Sequence, residues 1–557
     1  MGSVFVDIIP DEVPIAKLPD PKTAAAATEH MVNGKNGYAN GLNSGYNIIE
    51  EPSRSKRKLR IICVGAGASA INFAHEVQRS DLDLDLFFKF SANYVCSYSS
   101  APEILAYFKG VAEKNNLMSY FKLSHRVVGA SWNEGDQMWH VRIQRGDDPN
   151  DVIEDKANVF INASGVLNKW KWPKITGLEM FKGPMLHSAS WDDKVDLKVV
   201  GKMECFIRSP GWVTAGFGQR FAGKNGANFK YSDKQRDIFA NDPKKYLAYR
   251  KKIESELNSR FRFILNGSDE QKLAREAAEK DMRNKLATRP EIADLIVPTN
   301  FAVGCRRPTP GNGFLETLCK DNVEVVPETI QEITPKGIKT ADGVEHEFDV
   351  IICATGFDVS WRPQYPTIGR EGKSLSEEWK DVPNTYLSVT VPHFPNYLIF
   401  NGPFGPYGHG SFLPITELLA KHFLQILDKM SSEAVSSFEP TQGAVDDFAA
   451  HRRRFLPRTA WSSPCRSWFK QGTVDGEVMM WPGSRIHFFE TMRNPRWEDY
   501  RLTYTTPNRF GYFGNGFAAR EFDGRDLSWY LGLLDGGDTQ QTLPDEDFAE
   551  FLTQLQD

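Results

Sequence analysis

The chain has few cysteines and no paired cysteine motif. The 557 residues include seven cysteines, which is an odd number, and no two of them have C-x-x-C spacing. This pattern excludes the common zinc-binding arrangements and predicts reduced thiols without a disulfide framework. We therefore expect no metal site and an intracellular location.

Long apolar runs and a strong charge imbalance are also missing. No run approaches the roughly 20 apolar residues that a membrane-spanning helix needs. No basic segment precedes an apolar one at the N-terminus, as a secretory signal requires. The formal net charge is only -5, which provides no basic surface for a nucleic acid. These absences predict a cytoplasmic protein whose partners are neither membranes nor nucleic acids.

The order of sequence patterns predicts more than one domain. A length of 557 residues is enough for two or three domains. Residues 1–57 contain repeated Asn-Gly steps, which favour turns, and are predicted to form a flexible arm. Residues 234–288 are charged and have helical periodicity, which indicates a helical insert with solvated faces. Residues 531–557 are predicted to form a C-terminal tail with a surface helix.

A glycine-rich motif follows the strand pattern Ile61–Val64. Gly65, Gly67 and Ala70 form the sequence G-x-G-x-x-A, and Ser69 lies within it. In such a motif the first glycine allows a tight turn and the second lets the backbone approach a pyrophosphate, while the small third residue lets the helix pack on the strand. The helix N-terminus adds amide donors and a positive dipole. The motif predicts a dinucleotide site, and a turn whose small residues serve packing alone is the alternative.

The acidic residue that completes such a motif is not at its expected place. A dinucleotide site needs Asp or Glu about 20 positions after the glycines, at the end of the second strand, to bind a ribose hydroxyl. The corresponding pattern, residues 82–88, runs into Lys89. Asp85 lies in the middle of that pattern and is a poor substitute.

The most specific motif covers residues 181–192. Four of its positions have fixed identities in the spacing F-x-G-x-x-x-H-x-x-x-W, and these are Phe181, Gly183, His187 and Trp191. The motif resembles the fingerprint of Baeyer–Villiger monooxygenases, flavoenzymes that insert an oxygen atom beside a ketone. Similarity to that family continues in the same order over about residues 58–530.

The resemblance implies an α/β fold with a Rossmann-type FAD-binding domain formed by residues 58–180 and 345–530. It implies an NADP-binding domain over residues 181–344, which includes the helical insert. FAD and NADPH are the implied cofactors, and a small-molecule ketone is the implied substrate. The segment 465–517 is similar to the fungal branch of the family, which often modifies polyketides and other secondary metabolites.

Two residues are candidates for catalysis through this resemblance. Arg307, in the run that begins at Gly304, would stabilise an anion that forms beside the flavin, because a cation in a dry site favours developing negative charge. An arginine that pairs with surface carboxylates is the alternative. His187 would help to link domain positions during the cycle, and a purely structural histidine is its alternative.

Five further residues are candidates for cofactor contacts. Arg208 and Ser209 resemble the pair that contacts the 2′-phosphate of NADPH, since a guanidinium suits a phosphate dianion. Thr355 and Gly356 match a segment that passes between the two nucleotide domains. Trp468 resembles a tryptophan that packs against the nicotinamide cofactor. A surface arginine and a core tryptophan are the alternatives for Arg208 and Trp468.

Two segments of the family pattern are missing. The flavin-enclosing segment that should follow the acidic residue is not found after position 90. Only the stretch 192–206 separates the fingerprint from the Arg208 strand, whereas a strand, glycine turn, helix and strand need about 30 residues or more. We therefore expect a truncated NADP-binding domain.

Three hypotheses explain this combination. The chain is an FAD- and NADPH-dependent monooxygenase of Baeyer–Villiger type, which is the primary prediction. Alternatively, it is a redox-silent relative that binds or rearranges a substrate without a cofactor. Thirdly, the sequence is an incomplete version of the active enzyme, since both gaps begin and end between family landmarks.

Overall fold

The computed structural model describes a defined part of the chain, namely residues 47–80, 99–197, 200–214, 219–223, 227–311, 313–408, 410–531 and 553. The chain divides into two compact units: one comprises residues 1–58, 429–435 and 504–557, and the other comprises residues 59–428 and 436–503. The predicted strand at residues 82–88 with Lys89, most of the predicted arm and nearly all of the predicted tail lie outside the described residues. The domain boundaries inferred from the sequence stay a prediction.

Most β-strands of the described residues are two to six residues long, and two are longer. In chain order they are β1 (Ile61–Val64), β2 (His125–Asn133), β3 (Met138–Arg145), β4 (Val152–Ala157), β5 (Val159–Asn162), β6 (Met185–His187), β7 (Met203–Phe206), β8 (Val213–Thr214), β9 (Thr309–Pro310), β10 (Val323–Val326), β11 (Ile330–Ile333), β12 (Gly337–Thr340), β13 (Glu345–Glu347), β14 (Ile351–Cys353), β15 (Thr367–Ile368), β16 (Tyr397–Ile399), β17 (Val435–Pro440) and β18 (Tyr500–Tyr504).

The α-helices of the same residues vary more in length. They are α1 (Ala68–Arg79), α2 (Ala101–Lys114), α3 (Asp233–Asn241), α4 (Pro243–Ser259), α5 (Asp269–Lys285), α6 (Pro290–Ile296), α7 (Phe314–Leu318), α8 (Leu375–Glu378), α9 (Leu413–Ser432), α10 (Gln442–Phe455) and α11 (Arg485–Thr491). None of these helices combines the length and the apolarity that crossing a bilayer requires.

Three parallel strands form the sheet beside which the candidate site lies. Their order is β1, β5, β16, and Ile62 pairs with Phe160 in the register. At the end of β1, Gly65 has a φ of +117°, and a Cβ there would lie 2.4 Å from the carbonyl oxygen of Ala163. Only glycine fits such a position. Helix α1 follows with Gly67 as its N-cap, so the predicted strand, turn and helix are confirmed.

A mixed sheet, in which β15 runs parallel to β2 and the other neighbours are antiparallel, packs against this region through aromatic side chains. Its strand order is β15, β2, β3, β4. Trp139 on β3 is fully buried, and its Nε1 donates to the carbonyl oxygen of Pro395 (2.8 Å). The Trp139 ring centroid lies 5.4 Å from that of Phe160 and 5.7 Å from that of Tyr397. The two sheets therefore share one core.

Two smaller parallel pairs of strands carry the other motifs. Strand β6 pairs with β14, where His187 stands opposite Cys353. Strand β7 pairs with β10. Between His187 and β7 the structure describes residues 188–197 and 200–202, and none of them is helical. The described part of the predicted NADP-binding domain thus has β7 and β10 side by side without a helix directly before β7.

The segment predicted as a helical insert contains three successive α-helices, α3 to α5. Each helix begins at a polar cap whose side chain accepts a hydrogen bond from the amide three residues later. The caps are Ser232, Asp242 and Ser268. Such caps satisfy amides that lack an intrahelical partner. Met282 on α5 is fully buried in an apolar cluster, while most of the insert is exposed.

Two cysteines form a disulfide, contrary to the expectation of reduced thiols. Cys305 and Cys465 are bonded, with their Cα atoms 6.4 Å apart, and both are buried. They are 160 positions apart in sequence, so their spacing carried no signal and only the fold brings them together. The described free cysteines are Cys63, Cys205, Cys319 and Cys353.

Candidate functional site

A cavity of about 1100 Å³ opens at the carboxyl ends of the three parallel strands. It is lined by Gly65 after β1, Ser164 after β5 and Asn401 after β16. Open α/β sheets bind ligands at this edge. The volume exceeds the ~300–1000 Å³ of ordinary small-molecule pockets, which suits a ligand as large as a dinucleotide.

The glycine turn leaves the N-terminus of α1 open. A Cβ at Gly67 would meet nothing within 4 Å, so a pyrophosphate could approach the backbone there. Ser69 and Ala70 are buried on the inner side of the helix. Their position fits the packing role of these small residues, and neither side chain lines the cavity.

Four side chains that line the cavity carry buried polar atoms with no hydrogen-bond partner among the described residues. They are the indole nitrogens of Trp361 and Trp379, the hydroxyl of Tyr365, and both amide atoms of Asn401. Trp379 is 2% exposed and Asn401 is 5% exposed. Burial raises the pKa of Tyr365 well above its usual value, which keeps its hydroxyl as a donor. Unpaired buried groups cost about 1–3 kcal/mol each, so the set fits an acceptor-rich ligand such as a flavin.

One wall of the cavity carries opposite charges. Lys169 and Asp358 both line it, and the amide of Asp358 donates to the carbonyl oxygen of Lys169 (2.7 Å). Burial pushes the pKa of the Asp358 carboxyl up, but hydrogen bonds from Ser360 and the charge of Lys171 outweigh it. The pKa of Asp358 therefore lies below its usual value, and the wall keeps an ionised carboxylate.

The residues of the fingerprint, 181–192, have different structural roles. Phe181 packs into an apolar cluster, and a Cβ at Gly183 would lie 2.6 Å from the carbonyl oxygen of Asp349 and 2.8 Å from the Phe181 ring. Trp191 is 50% exposed. Asp192 closes a turn by accepting the main-chain N–H two residues on (3.0 Å). Most of the motif thus maintains local structure.

His187 is buried in a chain of hydrogen bonds. Its Nδ1 accepts the amide N–H of Ala189 (3.1 Å), which in the neutral ring leaves the proton on Nε2. Nε2 lies 3.3 Å from Thr355 Oγ1, and that hydroxyl donates to the carbonyl oxygen of Lys171 (3.1 Å). The ring stacks on Trp170, with centroids 4.6 Å apart. The structure thereby brings two predicted site residues, His187 and Thr355, into contact.

The two neighbouring arginines of the Gly304 run have contrasting surroundings. Arg306 donates to the carbonyl oxygen of Pro210, and its guanidinium lies 5.7 Å from the ring centroid of Phe301. Arg307 is exposed and has no hydrogen bond or ion pair within the described part of the chain. Arg306 therefore holds the loop, while Arg307 is left available to a ligand.

The predicted phosphate-binding pair lies close to this loop. Arg208 and Ser209 are exposed, just past the end of β7. They directly precede Pro210, the acceptor of Arg306. The structure thus brings the Arg208 segment beside the Arg307 loop. The residues described directly before β7, 188–197 and 200–202, contain no helix whose N-terminus could receive a pyrophosphate.

Trp468 is half-buried and connects to the cavity indirectly. Its ring centroid lies 6.1 Å from that of Tyr407. The Tyr407 hydroxyl donates to the carbonyl oxygen of Gly402, which lines the cavity. Trp468 also follows Cys465, so the disulfide ties its segment to the Arg307 loop.

Of the residues predicted from the sequence, Gly65 lines the cavity. The others do not, and they are Gly67, Ser69, Ala70, His187, Arg208, Ser209, Arg307, Thr355, Gly356 and Trp468. The prediction missed Asn401, Trp361, Tyr365 and Trp379. The Asn-Gly-Pro sequence directly after a strand was an available signal for Asn401. The aromatic residues had none, because they come from loops and short elements whose placement depends on the whole fold.

The fold and this site define a class of flavin-dependent oxidoreductase, and comparison with known proteins agrees. The chain is 34% identical to the FAD-binding monooxygenase tazF of Aspergillus terreus, over 86% of this chain and 96% of that protein. It is 30% identical to the FAD-binding monooxygenase moxY of Dothistroma septosporum, over 89% and 88% of the two chains. The chain belongs to the family of FAD-binding monooxygenases. No protein-family profile matches it.

Solved structures share the fold. A cyclohexanone monooxygenase from Rhodococcus sp. Phi1 bound to NADP+ superposes with a TM-score of 0.66 at 21% identity, over 80% of this chain and 99% of that one. An oxidized steroid monooxygenase bound to NADP superposes with a TM-score of 0.64 at 21% identity, over 80% and 100%. The predicted α/β fold is confirmed, and the relatives confirm the predicted flavin-dependent monooxygenase.

The alignment with the Aspergillus protein contains positions that this chain lacks. It runs over 543 positions but covers 86% of 557 residues, which is about 480, so about 60 positions stand opposite gaps in this chain.

Proposed function

We propose that the chain is an FAD- and NADPH-dependent monooxygenase of Baeyer–Villiger type, which inserts an oxygen atom beside the carbonyl group of a ketone. The observation that carries this proposal is the cavity at the carboxyl ends of β1, β5 and β16, with its unpaired buried donors. FAD, when bound, supplies the redox chemistry with O2, while the protein supplies position and electrostatics.

The chain's own groups suit the parts of such a cofactor. Gly65, Gly67 and the N-terminus of α1 would hold the pyrophosphate, because free amides and the helix dipole favour an anion. Asn401 and the Tyr365 hydroxyl would pair with polar atoms of the flavin. These buried polar atoms have no hydrogen-bond partner among the described residues, and their residues line the cavity.

Three exposed residues would act on the nicotinamide cofactor and on the reacting centre. Arg208 and Ser209 offer a guanidinium and a hydroxyl to a phosphate. Arg307 offers a charge that no described residue neutralises, and in a closed site it would stabilise negative charge that develops during oxygen transfer. The hydrogen bond from Arg306 to Pro210 supports a shared location, because it links the two loops.

The substrate is proposed to be a polyketide-like ketone of secondary metabolism, and the location is proposed to be cytoplasmic. The similarity of the segment 465–517 to the fungal branch supports this substrate class, as does the identity to fungal FAD-binding monooxygenases. The disulfide between Cys305 and Cys465 is the observation that counts against the cytoplasm, because disulfides persist mainly in oxidising compartments.

A conservative variant tests the flavin site sharply. Tyr365→Phe removes one unpaired buried hydroxyl and keeps the ring, so the apo protein should unfold at the same or a higher temperature. The same change should weaken FAD binding by about 3- to 10-fold in a flavin fluorescence titration, since one hydrogen bond is worth about 0.5–1.5 kcal/mol. Tyr120→Phe, a change at an exposed tyrosine, is the control. Unchanged affinity in Tyr365→Phe would remove this hydroxyl from the flavin site.

A redox-silent relative is the second candidate. It is favoured by the gaps of about 60 positions in the alignment and by the absence of a described helix directly before β7. A folded wild-type chain that binds no FAD at high micromolar concentration would support it. Saturable FAD binding with ketone-dependent NADPH oxidation would exclude it.

A further inference from the structure

We propose that Trp170 is a positioning residue for His187: its indole ring, stacked on the imidazole, aims Nε2 at Thr355 and thereby fixes one wall of the cavity. The inference rests on the proposed function, because the wall in question belongs to the flavin site. The contacts involved are those among the rings of Trp170, Trp172 and His187 and those between the backbone segments 169–171 and 356–358.

The first observation is the aromatic enclosure of His187. The planes of the His187 and Trp170 rings are inclined by 24°, with centroids 4.6 Å apart. The Trp172 ring is inclined by 85° to the imidazole, and the two ring centroids are 5.7 Å apart. His187 is only 1% exposed. A stacked face and a perpendicular edge leave the imidazole little freedom to rotate.

The second observation is that this ring orientation serves two hydrogen bonds at once. Nδ1 faces the N–H of Ala189, and Nε2 faces the hydroxyl of Thr355. A rotation that moved the ring off Trp170 would break both bonds together. His187 ends β6, and Thr355 follows the end of β14, so the ring bridges the ends of two paired strands.

The third observation connects the stack to the cavity. Trp170 forms an antiparallel bridge with Phe357. On either side of it, the amide of Lys171 donates to the carbonyl oxygen of Gly356 (3.4 Å), and the amide of Asp358 donates to that of Lys169 (2.7 Å). Lys169 and Asp358 line the cavity. Trp170 thus stacks on His187 with its ring, while its backbone lies between Lys169 and Lys171 and pairs with the residue before Asp358.

These contacts assign Trp170 a role that neither neighbour fills. Its side chain contacts His187, so the orientation of the imidazole affects the position of residues 169–171. Its backbone pairs with Phe357, so residues 356–358 are affected as well. Trp172 touches the same imidazole but is 38% exposed and lies outside the bridge. Trp172 is therefore the matched control for Trp170.

The test compares Trp170→Ala, Trp170→Phe and Trp172→Ala in the full chain. Amide hydrogen exchange of the apo protein is followed in peptides that cover 169–173 and 354–360, with a peptide covering 138–145 as an unaffected reference. FAD affinity is measured by fluorescence titration. Loss of the stack should raise exchange in both wall peptides by about 10-fold and weaken FAD binding by about 3- to 10-fold.

The conservative variant separates positioning from simple packing. Trp170→Phe keeps a stacked ring and should return both readouts to within about 2-fold of the wild type. Trp172→Ala should change them less than Trp170→Ala does. In a His187→Gln background, Trp170→Ala should add little, because the two changes act through one contact.

Three results would overturn the inference: unchanged exchange in the wall peptides of Trp170→Ala, equal effects of Trp170→Ala and Trp172→Ala, or full additivity with His187→Gln. Failure of the proposed function is a separate result. If the wild-type chain bound no FAD, the exchange data of the apo protein would still decide the role of Trp170.

Discussion

Cys305 and Cys465 form a disulfide that joins the loop of Arg307 to the segment of Trp468. The bond closes a separation of 160 residues. Arg307 lies two residues beyond one cysteine, and Trp468 lies three residues beyond the other. A covalent link therefore limits how far two proposed contributors to the reaction can move apart.

Removal of this bond should destabilise the fold. Cys305→Ser with Cys465→Ser should lower the free energy of unfolding by about 2–4 kcal/mol, because the link restricts the unfolded chain. Denaturant unfolding measures this, and peptide mapping without reductant should recover the two cysteines in one linked species. Cys205→Ser, at a free half-buried cysteine, is the control. Recovery of unlinked peptides from protein purified without reductant would contradict the bond.

The glycine turn provides a second prediction with a built-in comparison. Gly65→Ala should destabilise the chain by more than about 2 kcal/mol, since its φ is +117° and the new Cβ would lie 2.4 Å from a carbonyl oxygen. In Gly67→Ala the new Cβ would have no other atom within 4 Å. This variant should therefore unfold at the same temperature as the wild type. It should nevertheless weaken FAD binding, because the methyl group would occupy the path of the pyrophosphate. Unchanged FAD affinity in Gly67→Ala would place the cofactor elsewhere.

Local patterns were enough to predict the parts of the fold that local physics determines. The strand, glycine turn and helix around Gly65 depend on neighbours in sequence, and so do the capped helices of the insert. The stack of Trp170 on His187 and the disulfide depend on segments that meet only in the folded chain. The fingerprint indicated the family, but it could not show that His187 lies in a chain of hydrogen bonds with Thr355.

The adjacent arginines should respond in opposite ways to truncation. Arg306→Ala should cost about 1–3 kcal/mol of stability, because it removes the bond to Pro210 and the contact with Phe301. Arg307→Ala should change stability by less than about 0.5 kcal/mol and should abolish product formation while FAD binding persists. Thermal unfolding and product yield per NADPH consumed separate the two cases. If Arg307→Ala formed as much product per NADPH consumed as the wild type, a catalytic role of Arg307 would be excluded.

Acid should destabilise the chain partly through His422. Burial lowers the pKa of His422 to about 4, against about 6.5 for an exposed histidine. Between these pH values the unfolded state therefore binds a proton on His422 that the folded state does not bind. The contribution of the neutral side chain to the free energy of unfolding is complete above about pH 6.5. It falls as the pH drops from about 6.5 to about 4, by up to about 3 kcal/mol.

His422→Gln should reduce this pH dependence. The difference in free energy of unfolding between pH 7.5 and pH 5 should be smaller by about 2 kcal/mol in the variant than in the wild type. His451→Gln, on the exposed side of α10, should behave like the wild type. Equal pH dependence in all three proteins would show that His422 does not titrate on unfolding.

The most direct test of the account follows the oxygen atom. The purified chain, loaded with FAD, is incubated with NADPH and a panel of polyketide-like ketones under labelled ¹⁸O2, and the products are analysed by mass spectrometry. The account predicts saturable FAD binding, ketone-dependent NADPH consumption and an ester or lactone that contains one labelled oxygen atom. A folded protein that binds no FAD and leaves NADPH and every ketone unchanged would contradict it.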